Sequence, residues 1–443
     1  MASSLFSLRC VLIALALPAV LTVSNLHADP EKGFFLKNGD RVVFYGDSIT
    51  DQRLYTSFVE TYVLTRFPTM DITFVHSGWG GDTVAGGKTS GSIDTRLERD
   101  VFVYKPTVMT VMLGMNDGRY RPFDQQLFDA YRTGMASIVE KARERFPDIR
   151  ITLLRPTPYD EVTRGLDGKV AGGYNPVLIR FGDAVQKIAE DNNQTVIDLN
   201  APMVALLEKA KSLDAPVSEK IIPDHIHPLK AGQLAMAFEL LRAWNAPSLV
   251  TDVGIDVANR KFTAAANTKA TDLAIADGKI SWTQLDDALP MPVDRENPET
   301  ALVLRCIDFD GLLDQQTLRV TGADGPAYRL LIDGQTMGEF TSAQLSEGIN
   351  LAKLPTPMIA QAEKVHDLTL KRTALVQTRR NTFQVPYANS EEPIKGNLER
   401  LMGSLDDAAE SARSIQRQMA VPVPHRYELV PVSSPAPEKT AAR

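Results

Sequence analysis

The chain of 443 residues is longer than a usual single domain, and its apolar fraction of 44% is sufficient for a substantial core. Its net charge of −7 predicts an acidic surface, which argues against nucleic acid as a partner.

The first 28 residues have the layout of a signal peptide. A segment ending at Arg9 precedes an uncharged apolar stretch, Cys10 to Val23, and cleavage is expected near Ala28. The stretch is too short for a comfortable membrane span, although an uncleaved anchor is the alternative. Cleavage removes Arg9 and no acid, so the net charge changes from −7 to −8. We therefore predict a secreted or periplasmic protein with one thiol, Cys306, and no intramolecular disulfide.

Residues 29–250 alternate strand-like and helical patterns. The strands are predicted near Arg41–Tyr45, Ile72–Val75, Thr107–Leu113, Ile149–Leu154 and Val196–Leu199. The clearest helical pattern repeats apolar residues every three or four positions, at Leu127, Tyr131, Met135, Ile138, Ala142 and Phe146. This alternation predicts an α/β fold, with a parallel sheet covered by helices on both faces.

After Pro247 the sequence changes to short β-like segments separated by Asp and Gly turns, which predicts a small β-rich accessory region over residues 251–355. Its β-like segments are Ile280–Gln284, Ala301–Ile307, Leu318–Val320 and Tyr328–Ile332. Two interpretations stay open for this region. It is a carbohydrate-binding or substrate-positioning module, in which Trp282, Tyr328 and Phe340 stack on sugars, or it is a packing extension of the preceding domain.

Helical patterns then predict a helical region over residues 356–420. Two patterns contribute, Pro355 to Asn381 and Pro393 to Met419. The second has one apolar side, formed by Leu398, Leu401, Leu405, Ala408, Ala412 and Ile415. A membrane or partner surface is the alternative for this side, but the acidic side chains of the helix make it a poor ligand for anionic lipid. Residues 421–443 are rich in Pro, Ser and Ala and predict a disordered tail.

Four short polar segments follow strand-like runs and carry candidate chemistry. Ser48 lies in Gly46-Asp47-Ser48-Ile49-Thr50, and far downstream the chain has Asp224-His225-Ile226-His227-Pro228. A serine hydroxyl needs an imidazole to take its proton and an acid to orient that imidazole. Between them lie His76 to Thr83 and Gly114-Met115-Asn116-Asp117. Each segment alone is typical of a turn, but open α/β sheets bind ligands where their strands end.

In this order, the four segments resemble those of the SGNH hydrolases, the GDSL-type esterase and lipase superfamily. The resemblance implies a flavodoxin-like three-layer sandwich and a serine esterase that needs no cofactor. It makes Ser48 the nucleophile, His227 the general base and Asp224 its partner. The backbone N–H groups of Ser48 and Gly81 and the side chain of Asn116 would form the oxyanion hole.

The chain has only six histidines, which allows the other candidates for the base to be weighed. His27 lies in the targeting segment, His425 in the tail, and His366 on a helical pattern where a surface role is expected. His76 departs from the commonest family pattern, Asn, and is expected to make a structural hydrogen bond. A metal site formed by His225 and His227 with Asp224 is the alternative for the last segment.

We therefore predict an exported serine esterase that hydrolyses carboxylic esters through an acyl-enzyme. Short acyl groups, above all acetyl, on carbohydrate are the predicted substrates, and small-molecule esters are also within reach of the family. A lipase or lysophospholipase-type acylhydrolase and a non-catalytic carbohydrate-binding envelope protein are the alternatives. No metal, cofactor or nucleic acid is expected, and no stable membrane insertion once the signal segment is cleaved.

Overall fold

The computed structural model describes residues 33–432. The predicted signal peptide, residues 1–28, lies outside the described residues. Within residues 33–432, no helix is long and apolar enough to span a bilayer.

A parallel sheet of five strands forms the centre of the first half of the chain. The strands up to residue 198 are β1 (Arg41–Gly46), β2 (Thr73–Gly78), the short hairpin pair β3 (Gly86–Gly87) and β4 (Gly91–Ser92), β5 (Val108–Met112), β6 (Arg150–Arg155) and β7 (Thr195–Asp198). The sheet has the order β2-β1-β5-β6-β7, and all its pairings are parallel. The direction of winding changes between β1 and β5, which is where open α/β sheets place their ligand crevice.

Helices cover both faces of this sheet, as the alternation in the sequence predicted. They are α1 (Ser48–Asp51), α2 (Leu54–Arg66), α3 (Ile93–Asp100), α4 (Gln125–Arg145), α5 (Asn175–Asp191), α6 (Ala201–Leu213), α7 (Ala215–Ser218) and α8 (Lys230–Ala243). In α4, Tyr131, Met135, Ile138 and Ala142 are buried on one side, as their spacing predicted. The flavodoxin-like three-layer α/β sandwich is thus confirmed.

A β-rich unit follows, built on two further sheets. Its strands are β8 (Leu249–Asp256), β9 (Lys261–Ala266), β10 (Thr268–Ala276), β11 (Lys279–Asp286), β12 (Gln315–Thr321), β13 (Ala327–Ile332), β14 (Gln335–Thr341), β15 (Ile349–Asn350) and β16 (His425–Val432). One sheet has the order β10-β11-β16-β13-β14 and the other β15-β12-β8-β9. Trp282 and Tyr328 are buried in the core between them, so these two rings are not free to stack on sugars.

Three helices accompany these strands, and the first corrects the sequence analysis. They are α9 (Pro298–Cys306), α10 (Phe309–Leu313) and α11 (Ser342–Glu347). The segment Ala301–Ile307 was predicted as a strand, which is wrong, because most of it lies in α9. Asn297 accepts a hydrogen bond from the N–H of Thr300 at 2.8 Å and Pro298 begins the helix, so a capped start outweighs the β-like composition.

The predicted disordered tail is also wrong for the residues that form β16. His425, Tyr427 and Leu429 alternate toward the core, and β16 lies between β11 and β13 in the middle of its sheet. The many Pro, Ser and Ala residues around this segment masked an ordinary strand period of two. Residues 433–443, the rest of the predicted tail, lie outside the described residues.

The C-terminal helices pack against the first half of the chain. They are α12 (Pro357–Thr378), a π-helical turn (Arg379–Gln384), α13 (Val385–Tyr387) and α14 (Ile394–Ala420). Glu60 of α2 is buried and accepts hydrogen bonds from Arg372 of α12 at 2.6 and 2.7 Å and from Gln416 of α14 at 3.2 Å. The helical region is therefore joined to α2 through a buried ion pair.

His366, which was expected on the surface, is buried between α12 and α2. Its ring stacks on Phe58 at 4.9 Å, and Nδ1 lies 2.9 Å from the hydroxyl of Thr61. The correction has a simple cause: its neighbours on α2 are about 305 positions away in the sequence and give no local signal. Burial, reinforced by the positive charge of Lys230, lowers the pKa of His366 to about 4.

The low pKa of His366 predicts a loss of stability in mild acid. At pH values between the ordinary histidine pKa of about 6.5 and the folded pKa of about 4, His366 is protonated in the unfolded chain but not in the folded protein. From pH 7 to pH 5 we expect the wild type to lose about 2 kcal/mol more unfolding free energy than His366→Phe, which keeps the stacked ring. Urea titrations of both proteins at the two pH values measure this, and equal losses would contradict it.

Candidate active site

Ser48 lies at the turn between β1 and α1. The carboxylate of Asp47 accepts a hydrogen bond from the N–H of Ile49 at 3.0 Å, which caps α1 and makes Ser48 its first residue. The turn is tight: a Cβ at Gly46 would come within 2.2 Å of the Thr50 hydroxyl. The local sequence thus presents the Ser48 hydroxyl at the end of β1.

The loop before α8 brings a histidine and a carboxylate to Ser48. Nε2 of His227 lies 2.7 Å from Oγ of Ser48, and Nδ1 lies 2.6 Å from Oδ2 of Asp224. Since the Asp224 carboxylate only accepts, Nδ1–H donates to it and Nε2 is left to accept the Ser48 hydroxyl. The structure therefore brings together the three residues that the sequence analysis predicted as a triad.

Asp224 is also fixed by the backbone of its own loop. Its Oδ1 accepts from the N–H groups of Ile226 at 3.0 Å and His227 at 2.7 Å. Burial alone would raise the pKa of Asp224, but the hydrogen bonds from His227 and Ile226 outweigh it and hold that pKa below its ordinary value. The carboxylate stays ionised and can orient the imidazole.

His225 holds the loop from its other side. Its Nδ1 lies 2.7 Å from the carbonyl oxygen of Asp160, whose N–H donates to the His225 carbonyl at 2.8 Å, and its ring stacks on Tyr159. The rings of His225 and His227 thus have different partners. Within residues 33–432, no group of three or more His, Cys, Asp or Glu side chains could hold a metal ion, so the metal-site interpretation finds no support.

The predicted oxyanion donors come from the next two segments. Gly81 follows β2 with a φ of +78°, a left-handed conformation that favours glycine. Asn116 follows β5, and its Nδ2 donates to the carbonyl of Asp82 at 3.0 Å. The Tyr120 hydroxyl donates to Oδ1 of Asn116 at 2.9 Å, which fixes the orientation of the amide. One amide hydrogen of Asn116 is used by Asp82, and the other remains for a ligand.

His76 makes the structural contacts that the sequence analysis expected. Its two ring nitrogens lie 2.6 Å from the hydroxyl of Thr56 and 2.8 Å from the carboxylate of Glu60. Burial lowers the pKa of His76, although Glu60 acts in the opposite direction. His76 thus ties β2 to α2 instead of lining the cleft at Ser48.

Two buried carboxyl groups lie next to the reactive segments. Burial raises the pKa of Asp47 and that of Asp117 to about 7. The Oδ1 atom of Asp117 accepts from the N–H of Val84 at 2.9 Å, which joins the loops after β2 and β5. Near neutral pH both groups are partly protonated, so they oppose a negative charge beside Ser48 less than two full carboxylates would.

Ser48 opens onto a shallow cleft of about 470 Å³. The residues that line it are Ser48, Asp51, Gln52, Pro223, Asp224, His227 and Leu229. The cleft offers few apolar side chains to a long acyl chain. A bulky polar group attached to a short acyl group could therefore remain largely in solvent.

The model of the GDSL-like lipase/acylhydrolase family matches residues 44–235, which include every residue of this site. This segment belongs to that family. The SGNH resemblance that the four sequence segments carried is thus confirmed, and the protein is a serine ester hydrolase.

Two relatives extend the comparison of this GDSL-like hydrolase. An acetylxylan esterase of Geobacillus stearothermophilus is 26% identical over 227 residues, which cover 46% of this chain and 94% of the relative. The solved structure of a gut microbial diltiazem-metabolizing enzyme is 28% identical, covers 92% of this chain and all of its own, and superposes with a TM-score of 0.79. The latter similarity extends beyond the family segment into the β-rich unit and the C-terminal helices.

The GDSL-like segment also contains a buried ion network that the sequence analysis missed. Arg96 of α3 is fully buried, bonds Asp82 at 2.7 Å and the carbonyl of Ser77 at 2.7 Å, and pairs with Asp100. The network anchors the loop that carries Gly81. The spacing of Arg96 and Asp100 on one helix face was visible in the sequence, but their partners on β2 and its loop were not.

Proposed function

We propose that the protein is an exported esterase that removes short acyl groups, above all acetyl, from carbohydrate, with Ser48, His227 and Asp224 as its catalytic triad. The observation that carries the proposal is the chain of contacts from Ser48 through His227 to Asp224, at 2.7 and 2.6 Å. Export rests on the signal-peptide pattern of residues 1–28.

The first half of the proposed reaction forms an acyl-enzyme. Oγ of Ser48 attacks the ester carbonyl while Nε2 of His227 takes the hydroxyl proton. The negative charge that develops on the carbonyl oxygen is met by the N–H groups of Ser48 and Gly81 and the amide of Asn116. Loss of one such donor typically costs about 10²–10³ in kcat. Collapse of the tetrahedral intermediate expels the alcohol, which takes the proton from His227.

The second half returns the enzyme to its starting state. Water enters, His227 takes a proton from it, and the resulting hydroxide attacks the acyl carbonyl. The same donors stabilise the second intermediate. Its collapse releases the carboxylic acid and returns the proton from His227 to Ser48, so that atoms and charges balance without a cofactor.

Two observations support the substrate class. The cleft at Ser48 is shallow and offers a long acyl chain little apolar surface to bury. The relative from Geobacillus stearothermophilus, which matches over 94% of its length, is named an acetylxylan esterase. Pro223 and Leu229 are the apolar side chains among the residues that line the cleft, and the lipase alternative needs a larger apolar surface than these two provide.

The test is hydrolysis of p-nitrophenyl esters from acetyl to long acyl, together with acetate release from acetylated xylan. The wild type is compared with Ser48→Ala and with Ser212→Ala, a control at an exposed serine near the end of α6. We expect turnover that is highest for acetyl, lost in Ser48→Ala and retained in Ser212→Ala. A maximum at long chains would favour the lipase alternative, and turnover that survives Ser48→Ala would refute the mechanism.

A further inference from the structure

The π-helical turn Arg379–Gln384 directs an arginine from the C-terminal helices toward the active-site loops. Arg380 is 4% exposed, and its side chain lies against β2 and α1. Turns of π-helix are rare in proteins, and those that occur often lie at functional sites. A buried guanidinium is costly unless its donors are satisfied, so its partners indicate what it is there to hold.

Arg380 bonds the two segments that are proposed to supply backbone oxyanion donors. Nη1 donates to the carbonyl of His76 at 3.0 Å and Nη2 to the carbonyl of Gly78 at 2.7 Å. Nη2 also lies 3.4 Å from the carboxylate of Asp51. Asp51 belongs to α1, which begins at Ser48, whereas Gly78 ends β2 and leads to Gly81.

The peptide unit between Gly78 and Trp79 lies where β1, α1 and Arg380 meet. The N–H of Trp79, in the same peptide unit as the Gly78 carbonyl, donates to the carbonyl of Gly46 at 3.0 Å. That peptide is therefore held from both sides, by Arg380 and by the end of β1. α1 packs so closely here that a Cβ at Gly78 would lie 2.1 Å from the N atom of Asp51.

Two further contacts join the C-terminal helical segment to the same part of the fold. Its guanidinium lies over the ring of Trp79, 5.3 Å from the ring centre. Gln377, one turn earlier on α12, donates to the carboxylate of Asp51 at 2.7 Å. The C-terminal helical segment thus grips both α1 and the Gly78–Gly81 loop.

We propose that Arg380 is a positioning residue that sets the distance between the N–H groups of Ser48 and Gly81 in the oxyanion hole. The inference rests on the proposed function and adds to it a role for the C-terminal helical region. Because a displacement of about 1 Å at a reacting centre can cost about 10² in rate, the loss of Arg380 should lower kcat. Arg380 does not line the cleft, and Asp51, the lining residue that it contacts, is also held by Gln377, so substrate binding should change little.

The fold offers a matched control in Arg417. This arginine of α14 donates to the carbonyl of Ile72 at 2.7 Å, directly before β2 and at the end of the strand far from Ser48. β2 is an edge strand of its sheet, so Arg380 satisfies strand carbonyls that lack a strand partner, and Arg417 does the same for the residue that leads into the strand. The Arg417 side chain is 27% exposed, so this variant tests whether the loss of any arginine bound along this edge lowers kcat.

The experiment measures kcat and KM for p-nitrophenyl acetate in the wild type, Arg380→Met and Arg417→Met, below the thermal transition of each. We expect Arg380→Met to lower kcat by about 100-fold with KM changed less than about three-fold. Arg417→Met should stay within about three-fold of the wild type in both constants. Should Arg380→Met fail to fold, Arg380→Lys keeps the charge and one bond and should give an intermediate loss of kcat.

Unchanged kcat in Arg380→Met, a change confined to KM, or equal losses in both arginine variants would overturn the positioning role. For Arg380→Lys, full wild-type kcat would overturn it as well. Absence of Ser48-dependent turnover in the wild type would instead refute the proposed function, and the positioning role would fall with it.

Discussion

His227→Ala is expected to lower kcat for p-nitrophenyl acetate by about 10⁴-fold or more. The structure places Nε2 of His227 2.7 Å from Oγ of Ser48, and within residues 33–432 no other histidine ring hydrogen-bonds this serine. Without the imidazole, the serine hydroxyl must lose its proton to water during attack. The residual rate would come from the oxyanion donors and from binding.

A double variant, Ser48→Ala with His227→Ala, tests whether the two residues act together, which neither single variant can do alone. Residues that act as one unit lose their effect together, so the double variant should be no slower than the slower single variant. His425→Ala serves as the matched control, because His425 pairs with Asp333 in the β-rich unit. Multiplicative losses in the double variant would contradict a shared role, as would a large loss of kcat in the control.

Deletion of residues 422–443 is expected to prevent the β-rich unit from folding. It removes β16, which lies between β11 and β13, and with it the buried side chains of Tyr427 and Leu429. Tyr427 stacks on Trp282 at 5.0 Å. The loss of one such aromatic side chain costs about 3–5 kcal/mol, and whole domains are stable by only about 5–15 kcal/mol.

Hydrogen exchange followed by mass spectrometry measures this effect. In the shortened protein, β11 and β13 should exchange rapidly, because each has lost its neighbour and exposes an unpaired edge. Deletion of residues 433–443 alone is the control, since it leaves β16 whole, and protection should be retained there. Protection of β11 and β13 that survives the longer deletion would show that the sheet does not depend on its central strand.

The sequence predicted the parallel sheet and the candidate triad because their signals are local. Ser48 and Asn116 each follow an apolar strand, and Asp224 and His227 share one loop, so short segments sufficed. The ends of parallel strands then meet at one edge of the sheet without any knowledge of distant contacts. The strand pattern and the helical face of α4 were readable for the same reason.

The features that the sequence did not reveal depend on distant partners. β16 has a Pro-rich neighbourhood and takes its place only because β11 and β13 leave a gap for it. Arg380 bonds residues about 302 and 304 positions earlier, and nothing near it in the sequence indicates that contact. α9 differs in kind, since its cap at Asn297 was visible but was outweighed by the β-like composition that follows.

The late position of Arg380 and β16 in the chain has a consequence for biosynthesis. The parallel sheet and the candidate triad are complete once residue 243, the end of α8, has been made. Arg380, which bonds the carbonyl of Gly78, and β16, the central strand of the second sheet, are synthesised more than a hundred residues later. Domains generally fold as they are synthesised, from the N-terminus onward. We therefore expect an unfinished chain to form its catalytic sheet early yet remain a poor esterase until its last elements dock.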